Sequence, residues 1–442
     1  MALFRTGRRR ALAAALTTLL LSAVSLSTLQ GAAAAPRLVG VQALPTVQVN
    51  GVVWTQAVNG DIVYAGGEFT SARPAGAPAG TSETPRWNLL AYRLSTGELI
   101  QGFDPHLNGE VRGVAVSPDG KRVYAVGRFT QVNGRAHSRI IALDPATGNR
   151  FTGFKASLGA TGYAVSATST TVYVGGAFVT ANGARRTRAA AFSVVNGALT
   201  AFAPAVQDNA VRALVLSPDQ KRIVLGGSFS AVNGDRRPGR GMVSIDTKTG
   251  KVQYRWLVND VVRNGAEADG TEHSAIYSLV SDGSFVYGSG YQYKAGKTGK
   301  LEGVFKARWS DGAISWLEDC HGDTYSVALL DGVVYTAGHA HDCSTVAGGW
   351  AEASPQDIRR AIAFTRVATG ELASTTMRRY TDFGGQPAPS LYDWFPAISA
   401  GTYTGMSQGP WHVTSGGGYL VYGGEFTRVG GVGQQGLVRF KL

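Results

Sequence analysis

The sequence predicts an all-β fold, a seven-bladed β-propeller with four-stranded blades. Three observations carry this reading. A short phrase recurs seven times, each time inside the same frame of apolar runs and turns. Apolar residues nowhere persist at helical spacing over several turns, which excludes a helical solenoid. The 442 residues include 59 glycines, about twice the usual share and without the period of collagen, so they mark tight turns.

The phrase is a β-branched or aromatic run followed by a glycine pair or its remnant. It reads VYAGGEF (63–69), VYAVGRF (123–129), VYVGGAF (172–178), IVLGGSF (223–229), VYGSGYQ (286–292), VYTAGHA (334–340) and LVYGGEF (420–426). Before it stands an apolar run such as VRGVAVS (111–117) or VRALVLS (211–217), closed by a turn. After it come a loop, a third run such as RIIALD (139–144) or GMVSID (241–246), another turn, and a short fourth run such as NRFTGF (149–154). Four short strands repeated around a ring describe propeller blades. The seventh third strand lies at 436–442, which leaves its blade without an outermost strand. Segment 37–44 (RLVGVQAL) is expected to supply it, antiparallel to 436–442, so that no edge stays open.

The first 34 residues read as a secretory signal peptide: a basic start (MALFRTGRRR), an apolar run and an Ala32-x-Ala34 cleavage site. The twin arginines leave both the Sec and the Tat export routes open. Loss of Arg5, Arg8, Arg9 and Arg10 would lower the formal charge from +12 to +8. The remaining basic residues are scattered rather than clustered, so no nucleic-acid partner is expected. No other stretch reaches the ~18 apolar residues of a membrane span. Residues 35–442 are expected to form a single propeller domain, secreted and monomeric.

Cys320 and Cys343 flank a hairpin that turns at Asp331-Gly332, a favoured two-residue turn. The register this turn sets places Cys320 opposite Cys343, His321 opposite Asp342, and Thr324 opposite His339. In an exported protein two facing cysteines are expected to form a disulfide.

The units resemble the delta-60, or DUF5122-type, propeller repeat of secreted bacterial proteins, over nearly all of the chain beyond residue 34. The segments EDCHGDTYSV (318–327), VVYTAGHAHDC (333–343) and LYDWFPAISAGTYTG (391–405) are similar to exported actinobacterial propellers. The resemblance implies fold and location, and it carries over no catalytic residue.

In a propeller the first strands line a central channel. Their equivalent positions form a column: Trp54, Arg112, Tyr163, Arg212, Tyr277, Tyr325 and Trp411. Four positions earlier a second ring is expected at the channel mouth: Asn50, Asn108, Gly159, Asp208, His273, His321 and Ser407. Five of the seven histidines fall in the last three blades. His273, His321, His339 and His341 are therefore candidate ligands for a divalent metal, with Asp319, Asp323 and Asp342 close to His321 in sequence, although their spacing matches no zinc motif. The long insertion at about 379–410 is rich in aromatics. Its Tyr392 and Trp394, with Trp411, suggest a platform on which sugar rings stack. Loop 258–275 adds the carboxylates Asp260, Glu267, Asp269 and Glu272. No serine elbow, Walker loop or dinucleotide fingerprint is present. The expected function is a secreted binding module for an extracellular glycan or cell-wall polymer, with its site at the channel mouth near blades five to seven. Two alternatives stay open: a metal-assisted polysaccharide lyase or hydrolase, and a protein-interaction scaffold.

Overall fold

β-Branched and aromatic residues favour extended backbone, and tight turns between such runs close antiparallel hairpins. The structure, a computed structural model, describes residues 35–253, 255–267, 271, 273–293 and 299–442. The expected signal peptide at 1–34 and the carboxylates Asp269 and Glu272 lie outside the described residues. Each copy of the phrase forms the second strand of an antiparallel meander. The first meander is Val52–Asn59, Ile62–Glu68 and Leu89–Arg93. The second is Val111–Val116, Val123–Gly127 and Ile140–Leu143. Equivalent meanders begin at Gly162–Ala167, Val211–Leu216, Ser274–Ser281, Thr324–Leu330 and Pro410–Gly416. Among the described residues the only helix is a single turn, Val258–Val261, and no sheet closes on itself.

The outermost strands are shorter than the repeat suggested. The meander begun by Ser274–Ser281 has a full fourth strand, Ile314–Glu318. Elsewhere the fourth run pairs through single bridges: Tyr92 with Leu99, Leu143 with Arg150, Phe192 with Leu199, and Ile245 with Val252. Tight turns through Gly97, Gly148, Gly197 and Gly250, all at positive φ, precede these bridges. The chain then departs at once for the next meander, so only one pair forms. Segment 37–44, expected as an outermost strand, forms none: it meets the last strand through one bridge, Leu44 with Arg439, where Gly40 N–H donates to the Lys441 carbonyl and Leu44 N–H to that of Arg439, both at 2.9 Å.

Successive first strands lie side by side, and Pro410–Gly416 lies against both Thr324–Leu330 and Val52–Asn59. The sheets bury apolar faces on one another. The tyrosine of the phrase meets an aromatic from the outer edge: Tyr64 with Phe103 at 5.1 Å, Tyr124 with Phe154 at 5.6 Å, and Tyr173 with Phe202 at 5.4 Å between ring centroids. The first and third of these pairs are edge-to-face and the second is tilted; such aromatic pairs add to the stabilisation from area burial.

Trp394 belongs to the same pattern. It meets Tyr335 at 5.0 Å, is 2% exposed, and donates Nε1–H to the Val39 carbonyl at 2.8 Å. It is therefore core rather than the open platform expected from sequence. Tyr392 donates its backbone N–H to the Ala363 carbonyl, so its segment runs along a sheet edge instead of over the channel.

The Cys320–Cys343 disulfide is present, and His321 bridges to Asp342 as the turn register requires. Asp331 and Gly332 have φ of 47° and 81°, the positive pair that a two-residue hairpin turn needs. Thr324, however, faces Gly338 rather than His339, because a β-bulge between Thr324 and Ser326 shifts the register by one.

Candidate functional site

That bulge recurs in every first strand. The register shifts fall between Val53 and Thr55, Val111 and Gly113, Gly162 and Ala164, Val211 and Ala213, Ile276 and Ser278, Thr324 and Ser326, and Pro410 and His412. The skipped residues are Trp54, Arg112, Tyr163, Arg212, Tyr277, Tyr325 and Trp411, the column read from the sequence. A bulge leaves its extra residue outside the ladder and re-aims the side chain. Here all seven line one cavity along the first strands.

The glycines of the phrase make room for the bulge. A Cβ on Gly67, Gly127 or Gly227 would lie 2.0, 2.0 or 2.1 Å from the carbonyl oxygen of Val52, Glu110 or Ala210. The preceding glycine serves the neighbouring sheet, since a Cβ on Gly66 or Gly175 would lie 2.5 or 2.4 Å from Val111 or Val211.

Above the column opens a mouth cavity of about 670 Å³, lined by Trp54, Tyr277, Tyr291, Tyr325, Tyr403, Met406 and Trp411 together with Glu68, Arg112, Arg212 and Asp323. Its aromatic floor is continuous. Trp54 and Trp411 lie 5.2 Å apart, Tyr325 and Trp411 4.2 Å, and Tyr277 and Tyr325 5.5 Å. The Arg112 guanidinium covers Trp54 at 3.9 Å and is held by Glu110 at 2.7 Å. The Arg212 guanidinium lies 5.4 Å from the Tyr163 ring and 5.6 Å from that of Tyr277.

A polar chain borders this floor. Tyr325 donates its hydroxyl hydrogen to Asp323 at 3.1 Å, while His339 Nδ1 lies 3.4 Å from the Tyr325 hydroxyl oxygen. With that hydrogen spent on the carboxylate, His339 must offer an Nδ1–H. Burial pushes the Asp323 carboxyl up to about 6, although the Tyr325 and Gln292 hydrogen bonds pull it down. Burial, then His341 and Arg360, hold the His339 imidazole down at about 4. It is therefore neutral at pH 7.

The insertion reaches the mouth by a different part than expected. The Glu425 carboxylate, 1% exposed, accepts from Thr404 N–H at 2.7 Å, Thr404 Oγ1 at 2.8 Å, Gln408 N–H at 3.2 Å and Trp411 Nε1 at 3.4 Å. One buried acid thus ties the Tyr403–Met406 tip to the column. The sequence did carry a signal for it. Glu425 repeats the Glu68 of the first phrase, at a position where the second, third and fourth copies have Arg128, Ala177 and Ser228.

Of the residues expected at the site, Asp323 and Trp411 line the mouth cavity. Asn50 instead accepts from the Thr70 and Ser71 amides at 2.9 and 3.0 Å, and Asn108 from those of Thr130 and Gln131 at 2.8 Å each. Both side chains cap their own loops. Asp208 does similar work on the Ser230 hydroxyl. His273 offers its carbonyl to Tyr293 N–H at 2.6 Å.

His321 is 1% exposed and stacks on Tyr380 at 3.7 Å, with Asp319 and Asp342 oxygens 3.5 and 3.6 Å from its nitrogens. Those separations are too long for well-formed hydrogen bonds. His341 lies 3.4 Å from Glu352, and its ring is 6.4 Å from that of His339. The histidines expected to ligate a metal are thus spread between the mouth and the buried hairpin. Among the described residues no group of three or more His, Cys, Asp or Glu is placed to hold a metal ion.

No protein-family model matches the chain, and no curated protein matches it. Among solved structures it is similar to the β-propeller domain of Myceliophteria thermophila Cps50 (Swd1), with 9% identity, 91% of this chain and 100% of that chain covered, and a TM-score of 0.50. It is similar also to U3-55K, with 12% identity, 90% and 98% covered, and a TM-score of 0.50. At such identities the likeness is one of fold: the chain is an all-β protein with a β-propeller architecture.

Proposed function

We propose that the protein is an exported, monomeric binding module that holds an extracellular or cell-wall glycan at its channel mouth. In this reading residues 1–34 are a leader removed after Ala34, and 35–442 form seven blades of the delta-60 type. Segment 37–44 closes the ring beside 436–442 through the Leu44–Arg439 bridge. The paired amides at Gly40 and Leu44 support closure, and the disulfide fits an oxidising compartment.

The observation that carries the glycan reading is the composition of the mouth. The exposed Tyr403 ring and the rims of Trp411 and Tyr325, 5% and 3% exposed, stand beside Asp323 and Arg112. Pyranose rings present an apolar face to stack and hydroxyl or acetamido groups to hydrogen-bond, so such a floor matches both. Calorimetric titration with N-acetylglucosamine dimer tests it. Binding that Trp411→Ala weakens at least tenfold, about 1.4 kcal/mol, supports the reading. No binding by the wild type refutes it.

A second reading, cleavage of the bound chain, draws on Asp323. A carboxyl that burial raises to about 6, beside a tyrosine and a neutral histidine, suits proton transfer. Release of new chain ends on incubation with the polymer, abolished by Asp323→Asn, would establish it. Unchanged polymer length would exclude it.

A further inference from the structure

A second cavity, of about 430 Å³, opens beside the mouth between the first and second meanders. It shares two wall residues with the mouth cavity, Glu68 and Tyr403. Its other side carries Trp87, whose ring lies 6.3 Å from that of His106 at 45°. Trp87 is 41% exposed and Tyr403 49%, an arrangement that folding alone does not favour for large aromatics.

The Trp87 backbone is nonetheless fixed. Its carbonyl accepts from Leu107 N–H, and the next residue, Asn88, holds the left-handed φ of 66°. The Asn88 side chain accepts from Phe69 N–H at 3.2 Å and donates to the Leu107 carbonyl at 2.7 Å. The indole is therefore a solvent-facing plate on a loop whose backbone is held, and a binding site there costs little backbone ordering.

On the reading that the mouth holds a glycan, we infer that the bound chain continues past Tyr403 into this second cavity and stacks on Trp87. The site then recognises an extended, unbranched segment of polymer rather than a single terminal sugar. Glu68 lies between the two cavities, where its carboxylate can accept from hydroxyl or acetamido N–H groups of the sugar that crosses.

The test is calorimetric titration of the full protein and of Trp87→Ala and Trp411→Ala with N-acetylglucosamine oligomers of two to six units. Melting curves serve as the check on folding. The expected result is that wild-type affinity rises with length. Trp87→Ala should bind the dimer as the wild type does and the hexamer about tenfold more weakly, one aromatic contact being lost. Trp411→Ala should weaken binding at every length. If Trp87→Ala binds the hexamer as tightly as the wild type, the extension is wrong while the mouth site stands. If wild-type affinity does not rise with length, the extension is also wrong. If no oligomer binds the wild type, the glycan reading fails and takes the extension with it.

Discussion

A Cβ placed on Gly127 would lie 2.0 Å from the carbonyl oxygen of Glu110. That carbonyl leads into the bulge that turns Arg112 into the channel, and Gly127 belongs to the phrase that announced the fold. One glycine thus links the repeat to the site. Gly127→Ala should cost about 1–3 kcal/mol through backbone overpacking and should loosen Arg112 from Trp54. Gly153→Ala, whose nearest atom would be 3.9 Å away, should stay within about 0.5 kcal/mol of the wild type. Denaturant melts of both variants check this, and equal costs would contradict it.

Trp394 joins Tyr335, Tyr422 and Phe440 to the Val39 carbonyl, the contacts on which the proposed closure rests. Trp394→Ala should lower stability by about 3–5 kcal/mol. Trp394→Phe should cost less, since it keeps the apolar contact and orphans one carbonyl. Removal of residues 36–44 should match the alanine variant in thermal melts. A chain that melts unchanged without 36–44 would show that the segment closes nothing.

The Asp323 carboxyl gives a pH signature. Its folded value is raised from 3.8 to about 6, so the folded state binds the extra proton between those limits. Stability from this group is present below pH 3.8 and is lost as pH rises through 6, by about 3 kcal/mol at most. His339, lowered from 6.5 to about 4, acts oppositely and loses stability as pH falls through that window. Asp323→Asn should remove the first trend alone. Relative to the wild type, the variant should gain stability on going from pH 4 to pH 7. Parallel stability curves would contradict the assignment.

The disulfide should be read directly by peptide mapping without reductant, which is expected to link Cys320 and Cys343. Their sequence separation of 23 corresponds to about 3 kcal/mol of loop entropy. Cys320→Ser with Cys343→Ser should therefore melt earlier while keeping the sheets elsewhere. Free thiols in the purified protein would contradict the pairing.

The repeat made much of this legible. The seven phrases located the second strands, and aligning the first strands picked out all seven residues that the bulges turn inward. The alignment could not show why they turn, because a bulge is a register event set by the paired glycine and carbonyl. The histidines misled for a related reason. His321 sits where a mouth residue was expected, but the Tyr380 ring stacks on it and buries it, and stacking between residues 59 apart leaves no mark on spacing. Trp394 and Tyr403 belong to one insertion and have opposite fates. Only the outer-edge pairing with Tyr335 and the Glu425 hydrogen bonds separate them.

The central claim is that the aromatic mouth built by the bulges holds a sugar. A crystal structure of the protein grown with N-acetylglucosamine tetramer tests it most directly. The account predicts a pyranose ring stacked on Trp411 or Tyr403, with Asp323 or Arg112 on its polar groups. A tetramer bound elsewhere on the molecule, with the mouth empty of sugar, would contradict it.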